Sequence, residues 1–208
     1  MRLFAAASCP FAHRTRALLT LLGVPFELRE VDLSNKPADF LALSPTGAVP
    51  LLEEDGFVLY ESSVINEYLA ERLSWTDAFS SDVHQRAAER LAMKRFDDVL
   101  IPVAFASFAD PASLERTPLW RREVEFIAKT VTRSQPTSLL GLHMATHWAR
   151  VSRAFPENPV VLALREALGA FLDAAASLPC VVKTNPNLDA TAKAMQARFG
   201  PKVQQQPA

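Results

Sequence analysis

At 208 residues, 49% hydrophobic and 22% charged, the chain can bury one or two cores and is too apolar to stay disordered, its tail Lys202–Ala208 excepted. Its 22 basic and 23 acidic residues leave a net charge of -1, so nothing electrostatic points to nucleic acid or an anionic membrane. Two cysteines, Cys9 and Cys180, cannot build a disulfide framework, and no apolar run approaches the ~18 residues of a membrane helix. The opening residues imitate a secretory leader ahead of Cys9, but their apolar stretch is shorter than the ~7–15 residues such a leader needs. A reducing cytoplasm is the expected compartment.

The pattern changes near residue 73. Residues 1–73 carry 6 basic and 10 acidic residues, and the remainder is mildly basic. In chain order, Arg2–Ala5 reads as a strand and Phe11–Leu22 as a helix stopped by Gly23. Phe26–Val31 alternates as a half-buried strand does, and Pro37–Leu43 makes a short helix opened by proline. Pro50–Glu53 and Phe57–Tyr60 form a hairpin about Glu54-Asp55-Gly56, and Ser62 or Ser63 caps a helix to Leu73.

Beyond a join at residues 74–80 no strand pattern remains. Helices are expected over Asp82–Phe108, interrupted by Pro102, then Leu114–Thr132, Ser138–Arg153, Pro159–Ser177 and Leu188–Phe199. The fold class is therefore an α/β unit over residues 1–73, a linker, and an all-α unit over 81–208.

Three short stretches carry chemistry. In Ser8-Cys9-Pro10-Phe11-Ala12-His13, the cysteine falls between a strand and a helix, where unpaired N–H groups and the helix dipole favour a thiolate. Alanine at position 12 leaves no second thiol one turn on, so redox chemistry would be monothiol and resolved from outside. Val49-Pro50 is either an ordinary trans proline at a strand start or a cis bond that turns the Val49 backbone toward an extended peptide. Tyr60-Glu61-Ser62-Ser63 either caps a helix or holds a small amino acid, with Ser62 on its carboxylate and Glu61 on its ammonium. His13 reads as a structural or surface histidine. His143 and His147, four apart with no glutamate between, do not make a metal motif, and Cys180 reads as packing.

Together these stretches resemble the glutathione transferases, nearest their omega-like, cysteine-type members. Cys-Pro-Phe-Ala-His-Arg from Cys9, Asn35-Lys36-Pro37, Ser44-Pro45-Thr46-Gly47-Ala48-Val49-Pro50 and Glu61-Ser62 follow the family's order. The resemblance implies a thioredoxin-like N-terminal domain and an all-α C-terminal domain, with glutathione as cosubstrate and no metal. It implies that Cys9 forms a mixed disulfide with glutathione and that Phe11 and Leu33 line the site. Lys36 would pair with the glycyl carboxylate, and Val49, before a cis Pro50, would bond the cysteinyl backbone. Glu61 and Ser62 would grip the γ-glutamyl head. A homodimer is expected, acting on a small electrophile, disulfide or quinone in thiol transfer or detoxification. Conjugation by glutathione itself, or partner binding without turnover, are the alternatives. In the helical part, Ser138-Leu139-Leu140-Gly141 keeps the serine of the family's capping box but has glycine where aspartate is expected. Phe105, Phe108 and Trp120 are the candidate lining of a second-substrate pocket.

Overall fold

The computed structural model describes residues 1–185 and 187–201; the tail Lys202–Ala208, expected to be disordered, lies outside the described residues. The first part contains β1 (Arg2–Ala5), α1 (Pro10–Leu21), β2 (Glu27–Glu30), α2 (Ala38–Leu43), β3 (Leu51–Glu54), β4 (Phe57–Tyr60) and α3 (Ser62–Arg72). The sheet runs β2-β1-β3-β4, with β1 and β2 parallel and the other pairs antiparallel. Alternation along β1 divides its side chains between two layers. Leu3 and Ala5 join Leu52, Leu18, Ile65 and Leu69 in the main core, while Phe4 packs with Leu51, Phe40 and Val31 on the other face.

The second strand corrects the sequence reading. All four residues of β2 are exposed, Leu28 by 45%, because the strand lies at the sheet edge with β1 as its neighbour. The start of α3 also differs. Glu61, at φ 69°, is the N-cap residue and Ser62 is the first helical residue.

The rest is helical: α4 (Val83–Arg95), α5 (Ile101–Ala109), α6 (Trp120–Val131), α7 (Leu139–Ala154), α8 (Pro159–Ala176), α9 (Pro179–Thr184) and α10 (Leu188–Phe199). Between α4 and α5, residues Phe96–Leu100 form a π-helical turn, with the Ile101 N–H reaching back to the Phe96 carbonyl. This turn absorbs the interruption expected from Pro102, which has no N–H to continue the ladder. The expected helix from Leu114 begins only at Trp120. A 3-10 turn over Pro111–Arg116 precedes it, and Thr117, just before Pro118, is pushed out of helical geometry. Helix α9, absent from the sequence reading, carries buried Cys180 and packs against α1.

Helix α7 is the central strut. Thirteen of its sixteen residues are buried, and it lies against α1, α8 and α10. The Ser138 hydroxyl caps it by accepting from the Gly141 N–H at 3.3 Å. The glycine has a steric cause: a Cβ there would come within 2.0 Å of the Pro136 carbonyl oxygen. No side chain, aspartate included, fits without moving backbone, so the missing half of the capping box follows from the fold of the preceding turn.

Candidate active site

Cys9 sits where β1 ends and α1 begins. Its backbone is extended and caps the helix, and the Ala12 N–H donates to its sulfur at 3.4 Å. The Sγ lies 3.7 Å from the Val49 carbonyl, to which the thiol can donate. The Val49–Pro50 bond is cis, and Gly47, two residues earlier, takes a left-handed φ of 64°. The loop thereby brings Val49 against the N-terminus of α1.

Two cavities meet at Phe11. The smaller, about 160 Å³, is lined by Phe11, Val49, Pro50, Glu61 and Ser62, together with Thr46, Ala48 and Tyr60. Lys36 is not in its wall, but its ammonium rests against Gly47, 3.5 Å from where a Cβ would stand. Glu61 is exposed, whereas Ser62 is buried and its hydroxyl accepts from Arg14 Nη1 at 3.4 Å. Five of the eight residues singled out from the sequence thus share one cleft. Cys9 and Leu33 line the second.

The larger cavity, about 620 Å³, lies between α1, α7 and α10, with Phe105, His147, Arg150, Met195, Arg198 and Phe199 in its wall. Phe105 lines it as expected and meets Phe199 edge to face at 4.7 Å. Phe108 and Trp120 do not: each is only 3% exposed, and Phe108 stacks on Phe155 at 3.9 Å. They are core, as aromatics at helical spacing usually are.

Of the two expectations for His13, structural or surface, the structure supports the first: the residue is fully buried. Its Nε2 lies 3.0 Å from the Val181 carbonyl, and its Nδ1 lies 2.9 Å from Arg150 Nη1. Burial, then the Arg150 and Arg16 charges, push it down to about 3, so the ring is neutral and its Nδ1 accepts from Arg150. Behind Phe11, Arg14 is gripped by Asp97, His143 and His147. Burial and the Arg14 charge push His143 down to about 4, and the same two causes hold His147 well below the ordinary imidazole value. Burial alone would raise Asp97, yet hydrogen bonds from His143 and Arg14 hold it well below the carboxylate range. These partners stand 83 and 133 residues from Arg14 in the chain, so no local pattern in the sequence pointed to them.

A four-stranded sheet with a cysteine at a helix N-cap, a cis-proline loop opposite it and a helical half closing a second cavity is the architecture of a glutathione transferase. Residues 8–72 match the family model of the glutathione S-transferase N-terminal domain. A protein from Aplysia californica named a probable glutathione transferase is 37% identical over 84 residues, 40% of this chain and 91% of that one. Glutathione S-transferase omega-1 of Mus musculus is 32% identical over 126 residues, 60% of this chain and 52% of that one. The crystal structure of glutathione transferase Omega 1C from Trametes versicolor superposes with a TM-score of 0.77 at 25% identity, covering 95% of each chain. The chain belongs to the glutathione transferase superfamily and is omega-like. It spans about half the length of the mouse and rat omega relatives that it matches. Among the described residues no helix is long and apolar enough to cross a membrane.

Proposed function

We propose that the protein is a glutathione-dependent thiol transferase acting through Cys9. The observation that carries this reading is the sulfur itself, which accepts an N–H at the start of α1, lies across from the Val49 carbonyl and lines the larger cavity beside Phe11, where the two cavities meet. In this reading residues 1–73 are the glutathione-binding unit, joined through 74–80 to the helical unit of 81–208. Glutathione lies along the smaller cleft, its cysteinyl backbone paired with Val49 beside Pro50. Its γ-glutamyl head meets Glu61 and the first-turn N–H groups at Ser62, and its glycyl carboxylate faces Lys36. Phe11 and Leu33 flank the sulfur, and the larger, mostly apolar cavity takes the second substrate.

The reaction is thiol–disulfide exchange. The Cys9 thiolate attacks the glutathionyl sulfur of a mixed disulfide, an S–S bond to Cys9 forms as the old one breaks, and the departing thiolate takes a proton from water. A second glutathione thiolate then attacks the glutathionyl sulfur on Cys9, releasing oxidised glutathione and restoring the cysteine thiolate. A glutathionyl-quinol adduct follows the same path, its carbon–sulfur electron pair leaving on the ring carbon, which is protonated.

Cys9→Ala should abolish reduction of hydroxyethyl disulfide while leaving glutathione binding by calorimetry within about threefold, since the peptide-binding groups remain. Turnover unchanged by the substitution would sink the mechanism. Turnover of a chlorinated aromatic by the same variant would instead favour conjugation, with bound glutathione as nucleophile. We assign a second copy of the chain as partner for the exposed Phe57, Val64 and Leu91, and sedimentation as a monomer at micromolar concentration would remove that assignment.

A further inference from the structure

Arg150 is 1% exposed and lies in the wall of the larger cavity with Cys9. Its position is fixed at both ends. The Thr146 hydroxyl, one turn earlier on α7, donates to the Pro10 carbonyl at 3.1 Å, which ties that helix to the residue after Cys9. Arg150 Nη1 donates to His13 Nδ1 and to the Thr146 carbonyl, and His13 lies one turn after Cys9 on α1. Two adjacent helical turns are thus bonded twice, and the guanidinium is held at the same end of α1 as the sulfur. Its Nε and Nη2 are buried without a partner. None of the ion pairs among the described residues includes Arg150, so this buried charge has no carboxylate within 4 Å there.

We propose that Arg150 is the counter-charge of the Cys9 thiolate, a positioning residue that keeps the sulfur ionised through the low-dielectric cavity wall. The inference rests on the reading of Cys9 as the reacting thiol. Burial and Arg16 push the guanidinium down to about 10, so it stays protonated at neutral pH, and Cys9 is the acidic group whose charge acts to hold it there.

The other charges around the sulfur do not replace it. On α1, His13 is neutral, and Arg16, which donates to the Ala7 carbonyl, also feels Cys9 but feels Glu30 more strongly, so its charge is partly offset before it reaches the sulfur. From the end of β2, Glu30 accepts from the Ala7 N–H. On α7, His147 is neutral. Lys183 on α9 and Arg198 on α10 are exposed, as is Glu61 ahead of α3, and Asp97 is taken up by Arg14. A buried cation without a carboxylate is costly, and an anion beside it removes that cost. An isolated neutral thiol would leave it uncompensated.

The test is the pH dependence of Cys9 alkylation by iodoacetamide, followed on its own peptide by mass spectrometry so that Cys180 is read separately. Arg150→Gln should raise the midpoint by about one pH unit, slowing alkylation about tenfold below it. Arg150→Lys should move the midpoint by no more than about half as much as Arg150→Gln, and Arg16→Gln should also move it less than Arg150→Gln. A folded Arg150→Gln protein with the wild-type midpoint overturns the proposal. If Arg150→Gln does not fold, the wild-type chain decides. A carboxymethyl group on Cys9 restores an anion and should melt at least about 2 °C above the neutral carboxamidomethyl adduct at pH 7. Equal melting overturns the proposal. A midpoint that depends on Arg150 in a protein that does not reduce hydroxyethyl disulfide would support this inference and defeat the thiol-transfer reading alone.

Discussion

Arg14 and Asp97 meet in a two-pronged contact, with Nη2 2.7 Å from one carboxylate oxygen and Nη1 2.9 Å from the other. The remaining donors of Arg14 reach the His143 carbonyl, the Ser62 hydroxyl and His147 Nδ1. All five N–H groups of this fully buried guanidinium therefore have an acceptor. One side chain of α1 is bonded to the start of α3, to the π-helical turn and twice to α7. Arg150 differs, because that buried guanidinium keeps two nitrogens unpartnered in the wall of the cavity that Cys9 lines.

The histidines around these arginines make stability depend on pH. His13 and His143 are pushed down to about 3 and 4, mainly by burial and then by neighbouring guanidinium charge, against an ordinary value of 6.5. Both stay neutral in the folded chain while the unfolded chain takes up protons below 6.5. The stabilisation is thus complete above pH 6.5 and lost as pH falls toward 4, at about 1.4 kcal/mol per pH unit for each histidine. Asp97, lowered in the folded state, adds a further loss below about pH 4 by the same sign. Urea denaturation between pH 7.5 and 4.5 reads this directly. A flat profile would contradict it, and because His147 is lowered as well, His143→Gln should reduce the slope by about a third.

Gly141 gives a prediction opposite to helix propensity. Alanine in a helix is favoured over glycine by about 1 kcal/mol, yet the Cβ at this position would overlap the Pro136 carbonyl. Gly141→Ala should therefore destabilise the protein by about 2 kcal/mol or more, as overpacking against backbone does. A variant more stable than wild type in urea would mean that the turn before α7 yields freely.

Glu61 holds a φ of 69°, uncommon for a residue with a side chain, and its own side chain makes no capping bond to α3. Such a conformation costs on the order of 1 kcal/mol, which persists where the position serves a ligand. Glu61→Gly should leave the melting temperature unchanged or a few degrees higher, and weaken glutathione binding by about tenfold or more. Calorimetry with an unchanged dissociation constant would remove Glu61 from the proposed cleft.

The sequence by itself determined the elements whose causes are local. The alternation of Leu3, Phe4 and Ala5, the hairpin glycine at 56, the cysteine before Pro10 and the serine before Leu139 act within a few residues, so strand, turn and cap could be read in place. Phe11, Val49, Pro50, Glu61 and Ser62 were legible as one cleft because the family motif encodes their order. Tertiary structure decided what depends on partners distant in the chain. Edge position exposed β2 despite its alternation, packing took Phe108 and Trp120 out of the cavity, and the Pro136 carbonyl dictated Gly141. The charges around Cys9 belong to the same class. Arg150 stands 137 residues from His13, and only the apposition of α1 and α7 brings this buried guanidinium into the wall of the cavity that Cys9 lines.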